Sequence, residues 1–216
     1  MVGIIDYNAG NIRSVARALD SIGCEYVISK SPEDLKSANR LIFPGVGDAQ
    51  YAMAQLKESG FDVFLKERVA TGIPVLGICL GSQIIFGFSE EGETPCLGLL
   101  NGKIQHFSTI QKDFSLKVPH MGWNDLTYSE EEKNNPCGLF EGIPEHTSFY
   151  FVHSYVIQPE DKNVIVATAD YEISVPAAVR FGNTFAVQFH PEKSGEPGLR
   201  LLKNFIQMEC GGGKKC

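Results

Sequence analysis

The chain is predicted to be an α/β protein: a mostly parallel central sheet with helices on both faces, plus an antiparallel extension. Three observations predict this. Short apolar strands alternate with helical stretches through the first half. The second half is strand-rich and carries a Gly182-Asn183 hairpin signal between two apolar runs. One further helical stretch then closes the chain. Strand–helix alternation builds a parallel sheet covered on both sides, whereas a hairpin adds strands antiparallel to their neighbours.

The elements follow in order. "VGIID" reads as the first strand, and Asn11 to Ile22 as an amphipathic helix through Ile12, Val15, Ala16, Leu19 and Ile22. "EYVIS" and "RLIFPG" are the next strands, followed by a helical region from about Asp48 to Val69. In "PVLGICLGSQIIF", Val75, Leu76 and Ile78 form a short buried strand, and Leu80, Ile84 and Ile85 then recur at helical spacing. Gly77 and Gly81 flank the turn, which implies close backbone packing around Cys79. "GLLNGKIQHF", "SFYFVHSYVI" and the run from Val164 to His190 supply the later strands. "VPHMGWN" reads as neither a clean helix nor a clean strand, because Pro119 and Gly122 break any period. "TYSEEEKNNPCG" is a polar, acidic stretch expected to be a solvated loop. The last helix is expected from about Gly198 to Met208.

Composition narrows the function classes. A chain of 216 residues, 43% hydrophobic and 21% charged, suits one large α/β core. Its net charge of -7 argues against a polyanion as main ligand, so no nucleic-acid partner is expected. The first residues enter a strand directly, without a leader pattern, and no apolar run is long enough to span a membrane. The expected location is the cytoplasm. Six cysteines lie scattered with no Cys-x-x-Cys pair, which disfavours both disulfides and a zinc site. One domain over 1–209 and a flexible tail over 210–216 are therefore expected.

Two features at predicted strand ends carry chemistry. Cys79 sits where a strand turns into a helix, and a helix N-terminus or a neighbouring imidazolium lowers a thiol pKa. In "FAVQFHPEKS", His190 and Glu192 follow the carboxyl end of another strand, and residues two apart in extended backbone point to the same side. Glu192 can then accept from Nδ1 of His190. A lone buried cysteine and a lone histidine are more often structural. Together, at the same edge of one sheet, they supply nucleophile, base and orienting carboxylate. The Leu80 N–H, next after the cysteine, suits an oxyanion, and the Gly-rich turn "FPGVGD" offers a second donor. By its residues alone Gln83 would be an exposed helix position, and Trp123 an ordinary core aromatic.

The motifs "PGVGD", "GICLGSQIIF" and "QFHPEKS", in this order, resemble the triad-type class I glutamine amidotransferases. "IIDYNAGNIRSV", "SEEG", "VPHMGWN" and "YFVHSY" narrow the resemblance to the glutaminase subunits of imidazole glycerol phosphate synthases, across nearly the whole chain. The resemblance implies a glutaminase of histidine biosynthesis without metal or organic cofactor. Its substrate would be glutamine and its partner a (β/α)8-barrel cyclase in a heterodimer. Cys79 would be the nucleophile, His190 the general base and then acid, and Glu192 the orienting carboxylate. Leu80 and Val46 would supply the oxyanion N–H groups, Val46 after a backbone flip induced by the partner. Gln83, with backbone at Gly47, Ser154 and Tyr155, would hold the substrate. Asn11, Trp123, Tyr150 and Lys193 would face the partner, and His120 and His153 would be structural or interface residues. Ser82 stands where relatives commonly carry Met, and the loop Glu130 to Cys137 is longer than usual. Two other readings share these residues: an amidotransferase feeding a nucleotide-sugar amidation enzyme, and a catalytically silent scaffold of a synthase.

Overall fold

The computed structural model describes residues 1–208; the expected tail over 210–216, with Cys210 and Cys216, lies outside the described residues. The chain begins with β1 (Val2–Ile5), α1 (Ile12–Ser21), β2 (Tyr26–Ser29), β3 (Arg40–Gly45), α2 (Ala49–Ser59), α3 (Phe61–Ala70) and β4 (Val75–Cys79). A single helical turn, α4 (Leu80–Ile84), follows the cysteine. Next come β5 (Phe88–Ser89), β6 (Thr94–Pro95), β7 (Gly102–His106), α5 (Phe107–Ile110), β8 (His120–Asp125), β9 (Thr127–Tyr128) and α6 (Glu130–Asn134). The chain continues through β10 (Ser148–His153), β11 (Tyr155–Pro159), β12 (Ile165–Tyr171), β13 (Ile173–Phe181), β14 (Thr184–Val187) and α7 (Gly195–Gln207).

The main sheet has eight strands in the order β2-β1-β3-β4-β14-β13-β12-β9. The first five are mutually parallel and the last three join antiparallel, as the sequence predicts. The helices divide between the faces because strand side chains alternate. Ile42, Leu76 and Ile78 pack with Val15 and Leu19 of α1 and with Leu201, Leu202 and Phe205 of α7. Leu41, Phe43 and Val75 pack with Met53 and Leu56 of α2 and with Phe64 and Leu65 of α3. The Gly182-Asn183 signal is a two-residue turn, since Phe181 pairs with Thr184. Two smaller sheets, β10-β8 and β11-β7-β5-β6, complete the described fold.

Several expectations need correction. The helical region from Asp48 to Val69 is two helices, because Gly60 adopts φ +77 and ends the first, while Asp48 caps its start by accepting from the Tyr51 N–H at 2.8 Å. "SFYFVHSYVI" breaks at Ser154 into β10 and β11, which join different sheets. "VPHMGWN" does contain a regular element: His120–Asp125 pairs with β10 across its whole length. The acidic stretch is no open loop. Thr127–Tyr128 extends the main sheet, and Ser129 caps α6 by accepting from the Glu132 N–H. Glu132 is itself buried, accepting from the Cys137 N–H at 2.9 Å. α7 starts at Gly195, three residues before the expected Gly198.

Candidate active site

β4 delivers Cys79 to the sheet edge in a conformation that L-residues rarely adopt, φ +53 and ψ −112. Such a backbone costs about 1–3 kcal/mol and persists only where its surroundings enforce it. Here they do. A Cβ on Gly81 would overlap the Phe43 carbonyl oxygen, so only glycine lets α4 lie against β3. Ser82, fully buried, donates from Oγ to the Cys79 carbonyl at 2.5 Å. With only five residues, α4 has little macrodipole, so the local N–H groups matter more than the helix as a whole. Leu80, first in that turn, has no intrahelical acceptor for its N–H.

β14 lies beside β4 in parallel register, Val187 opposite Ile78, which brings His190 to the same edge as Cys79. The His190 N–H donates to the Tyr150 carbonyl at 2.9 Å, and Ser194 Oγ donates to the His190 carbonyl at 2.6 Å. His190 Nδ1 lies 2.8 Å from Glu192 Oε1. An ionised carboxylate only accepts, so the proton sits on Nδ1. The contact expected from sequence is present, but its backbone is not extended: Pro191–Lys193 is a 3-10 turn that folds Glu192 back under the ring. Asn11 Nδ2 donates to the same Oε1 at 3.2 Å. This residue, expected to face a partner, turns its side chain inward to the carboxylate.

His190 Nε2 and Glu192 Oε2 are both buried and without a hydrogen-bond partner. For Nε2 that is an open valence on the Cys79 side. Burial opposes a charge on the His190 ring, but its interactions with the Cys79 sulfur and the Glu192 carboxylate outweigh it and lift its pKa to about 9. The ring is therefore a ready imidazolium, able to hold a thiolate and to protonate a leaving group.

A cavity of about 310 Å³ opens at this edge. Its walls bring together Val46, Gly47, Cys79, Leu80, Gln83, Ser154, Tyr155, His190 and Lys193 from the sequence-predicted set. Gln83 is not exposed; at 5% accessibility its Nε2 donates to the Tyr155 carbonyl at 3.0 Å and to Gln188 Oε1 at 2.9 Å. The Val46 N–H donates to the Ala9 carbonyl at 3.1 Å, so it is engaged elsewhere rather than offered to an oxyanion. Trp123 is 59% exposed, not core. It meets the Tyr150 ring edge-on at 6.1 Å, and the Lys193 ammonium lies 5.9 Å from that ring. His120 and His153 are buried and bonded to one another at 3.0 Å.

Sequence reasoning missed Gln188, Ser194, Glu91 and His153 as parts of the site. Gln188 Nε2 stands 4.0 Å from Cys79 Sγ, and Glu91 lines the cavity while accepting from the Ala49 N–H at 2.9 Å. A polar residue two before the histidine, at the end of an apolar strand, was the available signal for Gln188.

A strained cysteine elbow at the end of a central parallel strand, faced by a carboxylate-bound histidine, is the frame of an acyl-transfer site with a thiol nucleophile. The family model for class-I glutamine amidotransferases matches residues 3–208, and the chain belongs to that family. It is 46% identical over 215 residues to the imidazole glycerol phosphate synthase subunit HisH of Geobacillus kaustophilus, covering 99% of each chain. To the HisH subunit of Dehalococcoides mccartyi it is 43% identical over 212 residues, covering 98% of each. Among solved structures, a glutamine amidotransferase superposes with TM-score 0.72 at 24% identity, covering 95% of this chain and 96% of that one. PurLQS from Thermotoga maritima does so with TM-score 0.73 at 20% identity over the same shares. Likenesses at that identity speak to the fold alone.

Proposed function

We propose that this chain is the glutaminase subunit of an imidazole glycerol phosphate synthase, releasing ammonia from glutamine for a (β/α)8-barrel cyclase in a heterodimer. The observation that carries the chemistry is His190, held by Glu192 on Nδ1 with Nε2 unpartnered beside Cys79. The Cys79 thiolate attacks the side-chain carbonyl carbon of glutamine, and the Leu80 N–H meets the developing oxyanion. The His190 imidazolium protonates the amide nitrogen, ammonia leaves, and a thioester remains on Cys79. His190, now neutral, takes a proton from water, which attacks the thioester; collapse frees glutamate and the thiolate.

The second oxyanion donor, the Val46 N–H, becomes available only when its bond to Ala9 breaks. Low activity of the free subunit and stimulation by the partner follow from that. Trp123, Tyr150 and Lys193 form the patch through which the partner docks, beside the cavity mouth. The test is ammonia release from glutamine by the purified chain, with and without a co-purified barrel cyclase. Strong stimulation by the cyclase is expected. No glutaminase activity in the presence of a partner that binds would overturn the reading.

A further inference from the structure

Gln188 is fully buried at the end of β14, and its amide is the last member of a polar chain that reaches Cys79. The chain starts on β8. Asn124 Nδ2 lies 3.2 Å from His120 Nε2, His120 Nδ1 lies 3.0 Å from His153 Nε2, and His153 Nδ1 lies 2.7 Å from the Tyr155 carbonyl. That carbonyl also receives Gln83 Nε2, whose second proton goes to Gln188 Oε1.

One acceptor-only group fixes every proton in this chain. A backbone carbonyl cannot donate, so His153 must carry its proton on Nδ1, leaving Nε2 to accept. His120 must then donate from Nδ1 and accept from Asn124 on Nε2. Burial suits this, since it depresses the pKa of His153 to about 3 and that of His120 to about 4, keeping both rings neutral. On the other side, Gln83 must turn its nitrogen toward the carbonyl, with the oxygen pointing elsewhere. Gln188 must in turn present Oε1 to Gln83, which leaves its N–H, and never its oxygen, aimed at the sulfur. A flipped amide would put an acceptor against the thiolate.

We propose that Gln188 is a further catalytic residue whose amide N–H donates to the Cys79 thiolate. Gln83, fixed by the Tyr155 carbonyl, is the positioning residue that holds that amide in the donating orientation. The inference rests on Cys79 being the nucleophile. The 4.0 Å separation is near the outer limit of an N–H···S contact, and a thiolate draws a donor closer than a thiol does. Other titratable groups facing the sulfur are His190 and Tyr7, with Glu192 behind His190, and Glu91, His153 and Lys193 on the cavity wall.

The experiment is iodoacetamide alkylation of the full chain across pH 5 to 10, with the Cys79 peptide quantified by mass spectrometry. Gln188→Met keeps the volume and removes the donor, so the alkylation midpoint should rise by about 0.5–1 pH unit. Gln188→Glu keeps the shape and puts a carboxylate against the sulfur, and should raise it further. Midpoints equal to wild type in both variants would overturn the catalytic assignment. A wild-type chain in which Cys79 reacts no faster than Cys24 would instead overturn the nucleophile reading, which keeps the two failures apart. For the positioning residue, Gln83→Met removes the donor that holds Gln188 Oε1 and should also raise the alkylation midpoint, toward the Gln188→Met value. A midpoint in Gln83→Met equal to wild type would overturn the positioning role of Gln83.

Discussion

At the residue scale, the proposed chemistry is divided between a sulfur, a ring and a carboxylate that two separate pieces of chain, the end of β4 and the turn after β14, bring together. Asn11 and Glu192, 181 positions apart, share one hydrogen bond behind the ring. Glu192→Gln keeps that shape but removes the charge that sustains the imidazolium. It should lower kcat/KM for glutamine by about 10–10²-fold with KM little changed. His190→Ala removes both thiolate support and leaving-group protonation, and should cost about 10³-fold or more. Steady-state assays with the cyclase partner check both, and small, equal losses would refute the division of roles. The meeting of Cys79, His190 and Glu192 was legible in the sequence, because Cys79 ends one strand, the other two closely follow another, and such ends converge at one edge of a parallel sheet. Gln188 was not. It continues an apolar strand and differs from a buried filler only through contacts with Gln83 and Cys79, which come from a distant elbow.

At the element scale, the strand-to-helix elbow and the helix break at Gly60 show two different uses of glycine. Gly81 is needed because a side chain would strike the Phe43 carbonyl, and nothing in β3 can yield without breaking the sheet. Gly81→Ala should cost about 3 kcal/mol or more and abolish activity. Gly60 has open space, the nearest atom to an added Cβ being Pro32 Cγ at 3.9 Å, and only its φ of +77 is demanding. Gly60→Ala should cost about 1–2 kcal/mol and leave the site intact. Urea melts of the two variants separate the cases; equal losses would contradict them. The alternation of strands and helices was readable because apolar spacing survives in the sequence. Three details were not. Gly60 is a single glycine within a long helix-forming stretch, β8 follows Pro119 and contains Gly122, and α6 opens on three consecutive glutamates yet is pinned by the Ser129 cap and by Glu132.

At the scale of the whole molecule, buried histidines shape stability in opposite directions. His190 has its folded pKa raised to about 9, so its contribution is complete below its unfolded value of roughly 6.5 and is lost as pH rises through 9. His120 and His153 have folded values lowered to about 4 and about 3, so the unfolded chain binds protons first on acidification. Their contribution is present above roughly pH 6.5 and is lost as pH falls toward those values. Thermal melts should therefore peak near pH 6.5 and decline on both sides. The alkaline decline should weaken in Glu192→Gln, and an unchanged alkaline limb would argue against the His190–Glu192 pair.

The exposed face of β8 belongs to the same scale. Met121 and Trp123 are 61% and 59% exposed, an apolar surface beside the cavity mouth. On titration with the cyclase, the emission of Trp123, the single tryptophan, should shift to the blue. Trp123→Ala should weaken association while melting close to wild type. An emission unmoved by a partner that binds would place the interface elsewhere.

Whether Cys79 is the nucleophile for glutamine is decided by covalent trapping. The complex is incubated with a diazoketone analogue of glutamine, and the labelled peptide is mapped by mass spectrometry. One label is expected, on Cys79, blocked by excess glutamine and lost in Cys79→Ala, while the synthase still turns over with free ammonia. Label found chiefly on Cys24 or Cys137, or glutamine hydrolysis that survives in Cys79→Ala, would contradict it.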